Sequence, residues 1–219
     1  MNIGATSVGG MINNVKTFAN ILMPGVVHMR HTHLPEHKFV KGQPETGADL
    51  ANDLERIALN FGAENIAACI VEPISGSTGT LVPPKGYLNR LREICDKHDI
   101  LLIFDEVITG WGRTGSSFAS KEYGVTPDLI TMAKATTNGI VPMGVVAVKE
   151  EIYDTIVNAS PDGVIELFHG YTYSGIPVAV AAALAVQDIF EKEDIFNRAK
   201  KLSPYFLEGL FSLKDIDCI

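Results

Sequence analysis

The chain has 219 residues, a formal net charge of −8 and 46% hydrophobic residues, enough for one large domain with a substantial core. The acidic balance and the lack of a basic stripe argue against a nucleic-acid binder. No apolar run approaches the length of a membrane span.

In chain order, residues 1–41 read mostly as loop, with a short helix predicted from Ser7-Val8-Gly9-Gly10 through Phe18. No basic segment followed by an apolar core opens the sequence, so no secretory leader is expected. Cys69, Cys95 and Cys218 are odd in number and form no Cys-x-x-Cys pair; they read as reduced thiols of a cytoplasmic protein. His28, His31, His33 and His37 form the one histidine-rich patch. Their irregular spacing, with no cluster of carboxylates beside them, favours surface or packing roles over a metal site, so no metal is expected.

Apolar residues Ala48, Leu50, Ala51, Leu54, Ile57 and Ala58 recur at helical spacing within 47–60. Ile66–Val71 is a buried strand with Glu72 at its tip, and Pro83-Pro84-Lys85-Gly86 turns the chain into a helix over Tyr87–Lys97. Ile100–Phe104 follows as an apolar run without alternation, a pattern that suits a strand buried on both faces. Strand, helix and strand make a βαβ unit, so the two strands are expected to be parallel with a right-handed crossover, bringing Glu72 and Asp105 to one edge. Glu72 reads equally as a turn-stabilising acid.

Asp105 ends the second strand, at the carboxyl edge where open α/β sheets bind ligands, and Gly110, Gly112 and Gly115 break the chain after it. A buried carboxylate there needs donors or a cation. Taken alone, Asp105 reads as a turn cap or as a partner of Arg113. A short crossover near Ser117–Tyr123 leads to a strand at Leu129–Met132, and Lys134 stands just past its tip. Taken alone, Lys134 is a solvated loop lysine; desolvated, its amine would be free to attack a carbonyl. Together, an acid and an amine at two strand tips are the pair that pyridoxal phosphate enzymes use. There the lysine holds the aldehyde as a Schiff base and the carboxylate keeps the ring nitrogen protonated.

The segment 133–143 has no room for a crossover helix, so the next strand, Gly144–Val148, is expected to run antiparallel to its predecessor. Helices are predicted over Lys149–Val157, Pro177–Phe190 and Asp194–Leu213, with a polar and aromatic loop at Phe168–Gly175. The Ala- and Val-rich Pro177–Phe190 helix is expected to be buried nearly all round or to pack in an interface.

D-E-V-I-T-G-W-G-R-T-G at Asp105–Gly115, M-A-K-A-T-T-N-G at Met132–Gly139 with V-P-M-G after it, and F-H-G-Y-T-Y-S-G at Phe168–Gly175 resemble the class III pyridoxal-phosphate-dependent aminotransferases. H-T-H-L-P-E, L-V-P-P-K-G-Y and E-L-F-H-G-Y-T-Y-S-G are similar to the omega-amino acid (β-alanine)–pyruvate group of that class. The resemblance covers nearly all of the chain, whereas the chain covers about the middle half of such an enzyme. It implies an α/β fold, the fold type I large domain: a mostly parallel sheet with one antiparallel strand and helices on both faces. Residues 1–192 would form an N-terminally incomplete large domain that binds pyridoxal 5'-phosphate, and 193–219 the start of a truncated small domain.

The resemblance further implies that Lys134 holds the cofactor and moves the proton. Asp105 binds the ring nitrogen, Val107 packs on the ring, Ile108 lines the substrate pocket and Glu72 orients polar groups nearby. Thr172 reaches the phosphate of the cofactor in the neighbouring subunit of a homodimer or larger assembly; without the resemblance it is an ordinary loop threonine. The reaction implied moves an amino group from an omega-amino acid or amine, such as β-alanine, to pyruvate. Two alternatives stay open: an inactive truncated homologue, and a related pyridoxal phosphate aminomutase or decarboxylase. The chain departs from the family's usual residues at Trp111, often Phe, at Ala135, often Gly, and at Ile176, usually His.

Overall fold

The computed structural model describes residues 2–167 and 169–216. Cys218 and Phe168, both part of the sequence reading, lie outside the described residues. The chain divides into two compact units, Met1–Ile70 with Ile74–Ile100, and Val71–Pro73 with Leu101–Ile219.

The first unit is built on two amphipathic helices. α1 (Ile3–Val8) and α2 (Ile12–Thr17) come first, so the single early helix predicted from the sequence is broken at Gly9-Gly10. A 3-10 turn at Ala48–Ala51 leads into α3 (Asn52–Phe61), which buries Leu54, Ile57 and Ala58 at i, i+3, i+4 spacing. β1 (Ala68–Val71) precedes α4 (Tyr87–His98), which buries Leu88, Leu91, Ile94 and Cys95 and packs against α3. Glu55 of α3 receives Lys97 and, at 2.9 Å, His98 from the last turn of α4. Cys69 and Cys95 are buried and form no disulfide among the described residues. His37 is buried too, with its Nδ1 3.0 Å from the Thr32 carbonyl.

Asp53, in the first turn of α3, is buried beneath two arginines. It accepts the Arg30 backbone N–H at 2.9 Å and Arg56 Nε at 3.0 Å.

The second unit holds β2 (Leu101–Asp105), α5 (Ala119–Tyr123), β3 (Leu129–Met132), β4 (Val145–Val148) and α6 (Glu150–Ala159), then the long α7 (Pro177–Lys192) and α8 (Ile195–Phe211). The sheet order is β1-β2-β3-β4. β2 and β3 are parallel, with Ile103 beside Leu129, Phe104 beside Ile130 and Asp105 beside Thr131. β4 runs antiparallel to β3, with Met132 beside Val145, as the short 133–143 connection requires. Asp128 fastens these strands before they begin: one carboxylate oxygen accepts the Leu102 N–H at 2.7 Å, and the other pairs with Lys149 at 2.6 Å.

Burial is less complete than the apolar runs suggest, and within β1 only Cys69 is buried. β2 is buried on one face only: Leu102 and Phe104 are fully covered, while Leu101, Ile103 and Asp105 on the other are not. α7 is not buried all round, since only Ala179 and Val186 are covered and Val178 and Leu184 are 62% and 63% exposed. Much of its apolar surface stays open although α8 and the Lys134–Thr136 turn pack against it.

The Asp53 carboxyl is held below its ordinary value, first by the Arg30 N–H and then, against the cost of burial, by Arg56. A depressed folded pKa means that the stabilisation is complete above the unfolded value of 3.8 and is lost as pH falls through the folded value. Asp53→Asn should therefore be less stable than the parent at neutral pH, and the gap in urea midpoint should close as pH drops below 3.8. A gap that stays constant through that window would show that the arginines add nothing to the ionised state.

Candidate active site

Because β2 and β3 are parallel and in register, their carboxyl ends open at one edge of the sheet. Asp105 is the last residue of β2 and lies level with Thr131. Its Oδ1 accepts the Val107 N–H at 3.0 Å and the Thr131 hydroxyl at 3.2 Å. Oδ2 takes no hydrogen bond among the described residues, and the half-buried carboxylate keeps one oxygen to offer. Arg113 donates instead to the Ile108 carbonyl at 3.2 Å, so the Asp105–Arg113 alternative is not realised.

Glu106, the next residue, is wholly buried and spent on structure. Its two oxygens accept the Ala119 and Ser120 N–H groups at 2.6 and 2.8 Å, where α5 begins, and the Thr109 hydroxyl at 3.1 Å. These bonds fold the 107–118 loop back on itself. Val107 and Ile108 sit half-buried at its start. Gly112 has φ +91, and a Cβ there would fall 2.3 Å from the Phe196 ring, so the close approach of α8 requires glycine.

Lys134 lies two residues past β3 and opens a 3-10 turn, Lys134–Thr136. Its backbone is left-handed, φ +46. The Lys134 carbonyl accepts the N–H groups of Thr137 at 3.3 Å and Gly139 at 3.2 Å. The side chain is exposed and makes no ion pair or hydrogen bond among the described residues. Thr136 and Thr137 are buried beneath the turn. Thr136 receives the Trp111 indole N–H at 2.9 Å, so the loop leaving β2 is tied to the turn leaving β3.

Glu72 follows Val71 directly and is half-buried, Thr172 is exposed in the loop before α7, and Ile176 is the N-cap residue of α7. The structure thus gathers Asp105, Val107 and the Lys134 turn at one edge. Sequence reasoning missed Thr131, Glu106 and Thr136. The strand register would have found the first. The others answer to partners 13 or more residues away, and no local pattern marks them.

The profile of the aminotransferase class-III family matches residues 2–219. An omega-aminotransferase of Caulobacter vibrioides is 56% identical over 216 residues, which is 98% of this chain and 49% of that protein. A beta-alanine–pyruvate aminotransferase of Pseudomonas aeruginosa is 50% identical over 98% of this chain and 48% of its own length. Among solved structures, the omega-transaminase of Pseudomonas jessenii in complex with PMP superposes with a TM-score of 0.85 at 33% identity, over 98% of this chain and 47% of that one. The fold is that of the type I pyridoxal-phosphate enzymes. The chain belongs to the class III aminotransferases. It spans about half the length of the curated relatives it matches.

Glu106→Gln keeps the size of the side chain but turns an amide NH2 toward a backbone N–H. It should cost about 2 kcal/mol, the loss of a charge-assisted buried bond. Hydrogen exchange at the Ala119 and Ser120 amides should accelerate; parent-like protection at both would remove Glu106 as the anchor of the loop.

Proposed function

We propose that these residues form the core of a pyridoxal-phosphate-dependent omega-aminotransferase, which moves an amino group from an omega-amino acid or amine such as β-alanine to pyruvate, giving alanine and an aldehyde or oxo acid. The observation that carries the reading is the pairing of a half-satisfied carboxylate, Asp105, with an uncommitted amine, Lys134, past the carboxyl ends of two parallel strands. Family membership implies pyridoxal phosphate as the cofactor. The residues fit that group: one Asp105 oxygen is held by protein donors while the other is open to a ring N–H, and no acid competes for the Lys134 ammonium among the described residues.

When bound, pyridoxal phosphate supplies a ring that draws electrons from the substrate carbon. Asp105 would hold the proton on the ring nitrogen by accepting a charge-assisted hydrogen bond at Oδ2, its orientation fixed by Thr131 and Val107. Lys134 Nζ would carry a proton to and from the amino-bearing carbon as general base and acid. Val107 would give apolar surface to the ring, Ile108 would line the substrate pocket, and Glu72 would orient polar groups nearby. Thr172, exposed on its loop, would reach the phosphate of a cofactor held by a neighbouring subunit in a homodimer or larger assembly. Residues 1–192 belong, in this reading, to the cofactor-binding domain, and 193–219 begin the small one. No helix among the described residues is long and apolar enough to cross a membrane; Cys69 and Cys95, buried and outside any disulfide among those residues, support a cytoplasmic location.

In the full-length protein, alanine formation from β-alanine and pyruvate should fall at least about a hundredfold in Lys134→Ala, the scale of losing a positioned proton carrier. The visible absorbance of bound cofactor should vanish with it. Retained absorbance together with retained turnover would sink the assignment of Lys134; normal cofactor absorbance in the parent without alanine formation would instead sink the reaction.

A further inference from the structure

We infer that Trp111 is a positioning residue for Lys134: its indole N–H, acting through Thr136, clamps the turn that carries the amine to the loop that follows Asp105. The inference rests on the reading of Lys134 as the cofactor lysine and adds to it a residue which that reading does not require.

The geometry is specific. Trp111 Nε1 donates to Thr136 Oγ1 at 2.9 Å, and the same hydroxyl donates to the Ala133 carbonyl at 3.0 Å. The hydroxyl proton is thereby committed to Ala133, which leaves the oxygen lone pairs for the indole. Ala133 precedes Lys134 and Thr136 follows it by two, so one buried hydroxyl, 3% exposed, holds the backbone on both sides of the lysine.

The indole itself is held firmly. Its ring lies against Phe118, with centroids 5.0 Å apart, and against Phe190 of α7 at 6.5 Å. Phe190 in turn packs on Phe196 of α8 at 5.5 Å. The Trp111 backbone N–H donates to the Ser117 carbonyl at 2.6 Å.

Both residues at the ends of this connection are strained. Trp111 has φ +62 and Lys134 φ +46, a region that disfavours side chains and persists only where the surroundings over-determine it. For Lys134 that restraint comes from the 3-10 turn, and the indole N–H is the bond that ties the turn to the loop after Asp105. A phenylalanine at 111 could fill the aromatic cluster but has no donor to offer Thr136. Ring packing alone therefore does not account for the tryptophan, whereas the hydrogen bond does.

The test uses this chain with added pyridoxal phosphate, borohydride reduction of the amine–aldehyde adduct to a stable secondary amine, and peptide mass spectrometry of every lysine. In the parent, label should concentrate on Lys134. Trp111→Phe and Thr136→Val should each lower the share on Lys134 about fivefold, the equilibrium factor of one ordinary hydrogen bond. The double variant should fall no further than either single one, and Thr136→Ser, which keeps the hydroxyl, should resemble the parent.

Thermal melting separates these effects from global loss of structure. Trp111 is the one tryptophan of the chain, so its emission reports on the bond without any cofactor: Thr136→Val should shift the maximum and Thr136→Ser should not. Parent-like labelling of Lys134 in Trp111→Phe, additive losses in the double variant, or an unmoved emission in Thr136→Val each overturn the clamp and leave the function intact. Indiscriminate labelling of lysines in the parent overturns the cofactor-lysine reading and the clamp with it.

Discussion

The parallel register of β2 and β3 is the constraint on which the rest of this edge depends. With Asp105 level with Thr131, the threonine hydroxyl meets the carboxylate, and the chain leaving β3 reaches Lys134 two residues past its end. A slip of one residue would send Asp105 to the opposite face of the sheet and remove the Thr131 bond as well. Register here is set from both directions. Asp128 grips the Leu102 N–H where β2 starts, and the Glu106 N–H bonds the Thr131 carbonyl where it ends.

Three acids stand around β2 and β3, and they differ in how far their oxygens are already used. Asp128 gives one oxygen to a backbone N–H and the other to Lys149. Glu106 is fully engaged with α5 and Thr109. Asp105 alone among them takes both its protein donors on one oxygen. Burial of a carboxylate is tolerated when its lone pairs are met, and the acid with a lone pair to spare is the one that can meet a ligand. The adjacent pair Asp105 and Glu106 thus divides, by environment, into an acid with an oxygen to spare and an acid spent on structure.

Much of this was legible in the sequence. Leu129–Met132 was read with its observed limits, the antiparallel β4 followed from the short connection before it, and α4 came out one residue longer than read. Those features depend on local pattern and loop length, which a single chain displays. Burial of β2 on both faces did not hold, and of the two alternatives for α7 all-round burial did not, because apolarity reports what a segment prefers to bury and says nothing of how many neighbours arrive to cover it. Asp105 and Lys134 could be named from strand ends and motif, whereas nothing in the sequence showed how differently Asp105 and its neighbour Glu106 would be used. The hydrogen bonds that distinguish them come from Thr131, Ala119 and Ser120, which only the folded register brings near.

Strain gives an independent view of the same edge. Three of the non-glycine residues with left-handed backbone, Trp111, Lys134 and Asn138, lie in the two loops that leave β2 and β3. Each such residue costs on the order of 1–3 kcal/mol, and the cost must be offset by contacts formed elsewhere. For Trp111 the offset is the aromatic cluster with Phe118 and Phe190. For Lys134 it is the network of its own carbonyl with Thr137 and Gly139 and of Thr136 with Ala133 and the indole. The lysine side chain contributes to none of these bonds. Its backbone is therefore fixed at the expense of the surrounding turn while its amine stays uncommitted, which is the arrangement a residue needs if it is to exchange partners repeatedly without moving its main chain.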